Sequence, residues 1–306
     1  MRKIRGILAV LLLSVSITGC SNKNDEQQQG NLTLADEQTE VEKQDIPKTD
    51  EELEENIVET NIVADYAKYF QDISGCAVIY EELTNTYYFY NQQQCEIEVS
   101  PLSTFKIVST LAGLESGVLT NENTTMQYSG MEYPVAEWND DLTLKEAFNT
   151  SCIWYFRHVI DNVGQKDVLK ILNELHYGNC DLSEWNGNNV NPLEELNGFW
   201  IESSLKISPV QQVQQLSYIF SQKNNFKIEN IEILKNVMYV TELDSGILYG
   251  KTGSGTNGNA WFVGFVENNG DKIYFAIYLD DISDKNIVNG NKAKEIAIDI
   301  LDGEKK

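Results

Sequence analysis

The sequence predicts an α+β fold: one antiparallel sheet drawn from both ends of the chain, with a helical subdomain inserted between its halves. Three observations predict it. Strand-like residues gather in two places far apart in the chain, helical periodicity fills the stretch between them, and a last helix closes the sequence. Taken in order, "CAVIYEELTNTYYFYN" (residues 76–91) is rich in β-branched and aromatic residues around the turn-like "LTNT" and reads as a hairpin. In "SPLSTFKIVSTLAGLESGVL" (100–119), Phe105, Val108, Leu111 and Leu114 recur at helical spacing. Pro101 suits the first turn of that helix and Gly117 its end. Further helices fit "LTLKEAFNTSCIWYFRHVIDNVG", "QKDVLKILNELHYG" and "SPVQQVQQLSYIFSQ". Strands return in "GILYGKTGSG", "AWFVGFVENNG" and "KIYFAIYLDD", and "NKAKEIAIDILDG" is the closing helix. No internal repeat is present.

The N-terminus stands apart from this fold. Arg2, Lys3 and Arg5 precede an apolar run from Ile7 to Ile17, which is too short to span a bilayer stably and suits a secretory signal. Its end, "ITGC", resembles a bacterial lipobox, so residues 1–19 are expected to be removed and Cys20 to carry a lipid that anchors the chain to the membrane. Residues 20–60 hold few large apolar side chains and far more acids than lysines. They are expected to be a disordered tether, because so little burial cannot offset the entropy of ordering. The domain proper is then 61–306, enough for one large core.

Formal charge is −24, and loss of the three basic residues of the signal would make it −27. Such a surface argues against a nucleic-acid partner. There is no CxxC pattern, and His158 and His176 are the only histidines, so no metal site is expected. In an exported protein, Cys76 and Cys95, which flank the hairpin, are expected to form a disulfide.

The chemistry begins with a choice. Ser103 and Lys106 lie three residues apart in "SPLSTFKIV", and the same spacing recurs in Ser203 and Lys206 of "SSLK". On a helix, positions i and i+3 share a face, so either lysine amine could reach its serine. Near a helix N-terminus the dipole and free N–H groups favour an oxyanion. A lysine stem buried beside Phe105 would have a lowered pKa and could act as a base or add carbon dioxide. The alternative is a capping serine and a surface lysine, and the spacing leaves that open. Three further segments bear on it: "TSCIW" with Ser151 near a helix start, "YGN" (177–179), and "GKTGSG" with Lys251, Thr252 and Gly253 on an expected edge strand where an extended substrate could pair.

Together and in this order, these elements resemble the class D, or oxacillinase-type, serine β-lactamases, within the larger set of penicillin-recognising serine enzymes. The longer strings "FWIESSLKISPVQQV" and "LYGKTG…WFVGFVE" carry the class D character, and the resemblance runs over residues 62–302. It implies the serine β-lactamase/penicillin-binding transpeptidase-like fold. It also selects Ser103, since "SSLK" falls in a string where the family has no nucleophile.

The resemblance implies hydrolysis of β-lactam antibiotics, and hence resistance, outside the cytoplasm. Ser103 would form the acyl-enzyme. Lys106, carbamylated by carbon dioxide with no other cofactor, would be the general base for both steps. Trp200 would support the carbamate through its indole N–H, and Ser151 would relay a proton to the lactam nitrogen with Lys251. Ser103 and Ser254 would offer the oxyanion N–H groups. Thr252, Gly253, Ile153 and either Lys292 or Lys294 would line the substrate site, the lysine standing where the family has an arginine. Ser151-Cys152-Ile153 departs from the family's serine-x-valine by one methylene. Rival implications are a penicillin sensor that stays acylated, a D,D-peptidase, and a homologue that only binds. With one N-terminal apolar run and no sequence beyond residue 306, an enzyme is expected over a sensor.

Overall fold

Residues that pack well on both sides of a pleated sheet are concentrated at the two chain ends, and in the structure these ends pair. The computed structural model describes residues 58–221, 223–281 and 288–303. The expected signal 1–19, the lipidation site Cys20 and the tether as far as residue 57 lie outside the described residues.

The described chain begins with β1 (Thr60–Val63) and the single-turn helix α1 (Ala67–Phe70). The expected hairpin follows as β2 (Gly75–Glu81) and β3 (Thr86–Tyr90), closed by α2 (Gln92–Cys95). A 3-10 turn, Leu102–Phe105, leads directly into α3 (Lys106–Ser116), which ends on Gly117 at φ 80°, the left-handed conformation that favours glycine. The middle of the chain holds a small ribbon, β4 (Thr125–Met126) with β5 (Leu142–Thr143), and the helices α4 (Leu144–Asn149), α5 (Ile153–Val163), α6 (Gln165–Glu174), α7 (Pro209–Phe220) and α8 (Ile228–Met238). Capping boxes start two of them: Thr143 with Glu146 before α4, and Ser208 with Gln211 before α7. The chain then returns as β6 (Tyr239–Leu243), β7 (Gly246–Ser254), β8 (Asn259–Asn268) and β9 (Asp271–Asp280), and ends in α9 (Gly290–Gly303).

The sheet runs β1-β3-β2-β9-β8-β7-β6. N-terminal β2 pairs antiparallel with C-terminal β9, Cys76 opposite Tyr278 and Ala77 opposite Ile277. Alternation splits β9 between two cores. Tyr274, Ala276 and Tyr278 face the helical subdomain, whereas Phe275, Ile277 and Leu279 face a smaller core with Ala293, Ile296, Ala297 and Ile300 of α9. Burial on both faces is why these strands read as nearly continuous apolar runs.

Four expectations are corrected. The sheet is not wholly antiparallel, because β1 pairs parallel with β3. The long helix expected over 142–164 is broken into α4 and α5, with Ser151 at φ 58° between them. β7 is not an edge strand: β6 covers it, but only as far as Tyr249, opposite Tyr239, so β7 is open from Gly250 onward. The Cys76–Cys95 bridge is absent, and all four described cysteines are free thiols. The two thiols are hydrogen-bonded neighbours, and Cys95 Sγ also lies 3.4 Å from the carbonyl oxygens of Ala77 and Tyr90, which satisfy it as a donor.

Candidate active site

Leu102 precedes the nucleophile candidate in the left-handed region, φ 54°, although it is a buried leucine. Three contacts hold that strained turn. Leu102 N donates to Trp200 O at 3.0 Å, Ser100 Oγ donates to the same oxygen at 3.1 Å, and Trp261 Nε1 of β8 donates to Ser100 O at 2.9 Å. Beneath it, Thr104 Oγ1 donates to Pro101 O at 2.7 Å and accepts from Gln212 Nε2 of α7 at 2.8 Å, all buried.

This places Ser103 within reach of Lys106, Nζ to Oγ 2.9 Å. Lys106 is fully buried, with its amine 5.5 Å from the centre of the Phe156 ring. Burial pulls it from the ordinary lysine value down to about 7, a shift only partly opposed by the neighbouring Cys152. The Cys152 thiol, buried as well, is pushed up to about 12 and is neutral beside it.

A second serine–lysine pair adjoins the first. Ser151 Oγ accepts from Lys251 Nζ at 3.0 Å across the gap between the α4–α5 junction and β7, and Lys251 also donates to Thr252 O at 3.1 Å. Lys251 is held well below the ordinary lysine range by burial first, then by the cations of Lys106 and Lys294. The strand carrying it passes directly against the nucleophile turn: a methyl group on Gly253 would lie 3.4 Å from Ser103 N. Ser254 follows, its Oγ accepting from Gly290 N at 2.9 Å. Ile153, half-buried, opens α5 beside the core.

The two lysines expected at a substrate carboxylate sit in different surroundings. Lys292 pairs with Glu295 at 3.2 Å. Lys294 lines a cavity of about 380 Å³ together with Lys251, Thr252, Phe148 and Lys145 at the open part of β7. Trp200 is fully exposure-free, and among the described residues its Nε1 has no hydrogen-bond partner. Its ring stacks on Phe105, the residue before Lys106, with centroids 5.5 Å apart. An unpaired indole donor and an amine near neutrality in an apolar pocket are what a lysine carbamate needs, so the residues fit that group.

The competing serine turns to another partner. Ser203 Oγ is 2.6 Å from Glu184 Oε2, and Lys206 N donates to Asn179 Oδ1 at 3.0 Å. "YGN" secures the "SSLK" segment, since Gly178, at φ 52°, meets the Lys206 carbonyl so closely that an added Cβ would run into it, while the buried Tyr177 ring packs edge-on against Phe105 at 5.8 Å, beside Lys106. Thr104, Gln212, Phe156 and Lys145 were not singled out in the sequence. Their only signal was membership of apolar or polar helix faces that look like ordinary packing. Among the described residues no group of three or more His, Cys, Asp or Glu is placed to hold a metal ion, and no helix is long and apolar enough to cross a membrane.

Comparison with known proteins agrees with this geometry. Residues 73–302 match the penicillin binding protein transpeptidase domain. The chain is 33% identical over 244 residues to the regulatory protein BlaR1 of Bacillus licheniformis, covering 78% of this chain but only 38% of that protein. It is 32% identical over 250 residues to β-lactamase OXA-1 of Escherichia coli, covering 79% of this chain and 89% of that one. A solved class D β-lactamase of Bacillus subtilis superposes with a TM-score of 0.69 at 31% identity, covering 78% of this chain and 94% of that one. The chain thus spans about two fifths of the regulatory relative and most of the lactamases. With the family model covering nearly all of the domain, the chain belongs to the penicillin-binding protein transpeptidase-domain family and has the class D serine β-lactamase-like fold.

Proposed function

We propose that the protein hydrolyses β-lactam antibiotics through a Ser103 acyl-enzyme. The observation that carries the reading is the 2.9 Å contact between Ser103 and a fully buried Lys106 whose pKa is close to neutral. With carbon dioxide added to its neutral amine, Lys106 would take the hydroxyl proton through the carbamate oxygen as Ser103 Oγ bonds to the lactam carbonyl carbon. The N–H groups of Ser103 and Ser254 receive the developing oxyanion. As the lactam C–N bond breaks, its nitrogen takes the Ser151 hydroxyl proton, which Lys251 replaces. Thr252 and Lys294 hold the substrate carboxylate, with Ile153 against the substrate's apolar face. A carbamate on Lys106, held by Trp200 Nε1, would supply an anionic base for the water that releases the acyl group, which an ammonium could not.

A second reading is carried by the likeness to BlaR1: a receptor acylated on Ser103 without turnover. The two separate in one experiment, a chromogenic cephalosporin with and without bicarbonate. Many turnovers, enhanced by bicarbonate and lost by on the order of 10⁴-fold in Ser103→Ala but retained in Ser203→Ala, support the hydrolase. A single stoichiometric burst that bicarbonate does not extend supports the receptor. We further propose that Cys20 is lipidated and holds the domain outside the cytoplasm; metabolic labelling with a fatty acid that persists in Cys20→Ala would contradict this.

A further inference from the structure

The loop after "YGN" delivers Trp200 onto Phe105, the residue before Lys106, and one side chain of α5 grips that loop. Arg157 is only 5% exposed. Its Nη1 donates to Trp185 O at 2.6 Å and its Nη2 to Asn186 Oδ1 at 3.3 Å. Nε donates to Asp161 Oδ2 at 2.9 Å, and Nη2 pairs with the other Asp161 oxygen. Asp161 in turn accepts from Trp185 Nε1 at 3.0 Å. The guanidinium also lies against two indoles, 5.2 Å from the Trp185 ring centre and 6.0 Å from that of Trp200. Trp185 stacks on Phe199 at 5.1 Å, and Phe199 meets Trp200 edge-on at 5.0 Å. Every planar group in this chain of contacts therefore ends on Trp200, whose own ring has no polar anchor.

We propose that Arg157 is a positioning residue for Trp200, fixing the plane of the indole so that Nε1 points at the modified amine of Lys106. The inference rests on the carbamate reading above. Arginine suits the task because its flat fork donates in its own plane while its faces stack on aromatic rings; a lysine ammonium offers neither. A tie between helix and loop alone would need only a donor to Trp185 O. The contact with the Trp200 ring is the additional feature.

The test uses the full chain labelled with ¹⁵N at its five indoles and equilibrated with ¹³C-bicarbonate. Trp200→Phe identifies the Trp200 signal. In Arg157→Met we expect that signal to shift or broaden while those of Trp138 and Trp261 stay in place. The bicarbonate needed for half of the ¹³C carbamate signal should rise roughly tenfold, the loss expected for one misplaced hydrogen bond. Arg157→Lys should recover little of this, and it carries the same two readouts if Arg157→Met does not fold. Adding Arg157→Met to Trp200→Phe should cost nothing further. An unmoved Trp200 signal, a general collapse of all five signals in both variants, or fully additive effects would overturn the proposal. If the native protein gives no carbamate signal at all, the reading of Lys106 fails, and the indole spectrum still decides whether Arg157 positions Trp200.

Discussion

Lys106 shows how burial sets the chemistry of a single side chain. Taking an ammonium out of water without a paired carboxylate disfavours the charged form, and the amine falls from 10.5 to about 7. Below pH 7 the residue is protonated in both folded and unfolded chains, so the folded state bears the full penalty, about 5 kcal/mol for a shift of this size. Between about pH 7 and 10.5 the unfolded chain still holds a proton that the folded one has released, so stability rises with pH across that window. Replacing Lys106 by Met should accordingly stabilise the protein at pH 6, on the order of 3 kcal/mol, and much less at pH 10 in bicarbonate-free buffer. Denaturant midpoints at the two pH values check this. The same titration should give the Ser103 acylation burst an acid limb near pH 7. Lys294 and Lys292 make a paired prediction: Lys294→Ala should raise KM for carboxylate-bearing β-lactams by about tenfold, whereas Lys292→Ala, which removes only an exposed-partner ion pair, should change it less than about twofold.

At the scale of elements, the site depends on segments that never touch a substrate. The Gly178 turn brings the residues after "YGN" against Lys206, and with it the strand bridge of Val99 to Ile207 that leads into the nucleophile turn. Gly178→Ala combines a left-handed backbone with a clash on a carbonyl, and should cost on the order of 3 kcal/mol in chemical denaturation. The cysteines test packing in another way. Cys76, Cys95 and Cys152 are completely buried and Cys180 only partly, so iodoacetamide on the native protein, mapped by peptide mass, should modify Cys180 first of these four. The motif "YGN" was legible in the sequence, but its task was not, because the partner that explains it lies 25 or more residues away.

For the whole molecule, a formal charge of −24 means self-repulsion in the folded state. Raising sodium chloride from about 10 to about 150 mM should therefore raise Tm, since the Debye length shrinks to about 8 Å. Against that acidic background, Lys106 and Lys294 both act on Lys251, and Lys145 lines the same cavity as Lys251 and Lys294.

What the sequence determined by itself was local. Helical spacing put Ser103 and Lys106 on one face, strand-like residues marked β2, β3 and β7 to β9, and Pro101 and Gly117 bounded one helix. β6 escaped because "YVTEL" is short and follows α8 without a break. Only the tertiary structure brought Lys251 to Ser151, a hundred residues apart, left β7 open beyond Tyr249, and separated Lys294 from Lys292. It also set Arg157 against Trp200. Periodicity reports which residues share a face of one element, whereas strand register and the packing of distant elements against a common core decide which faces meet.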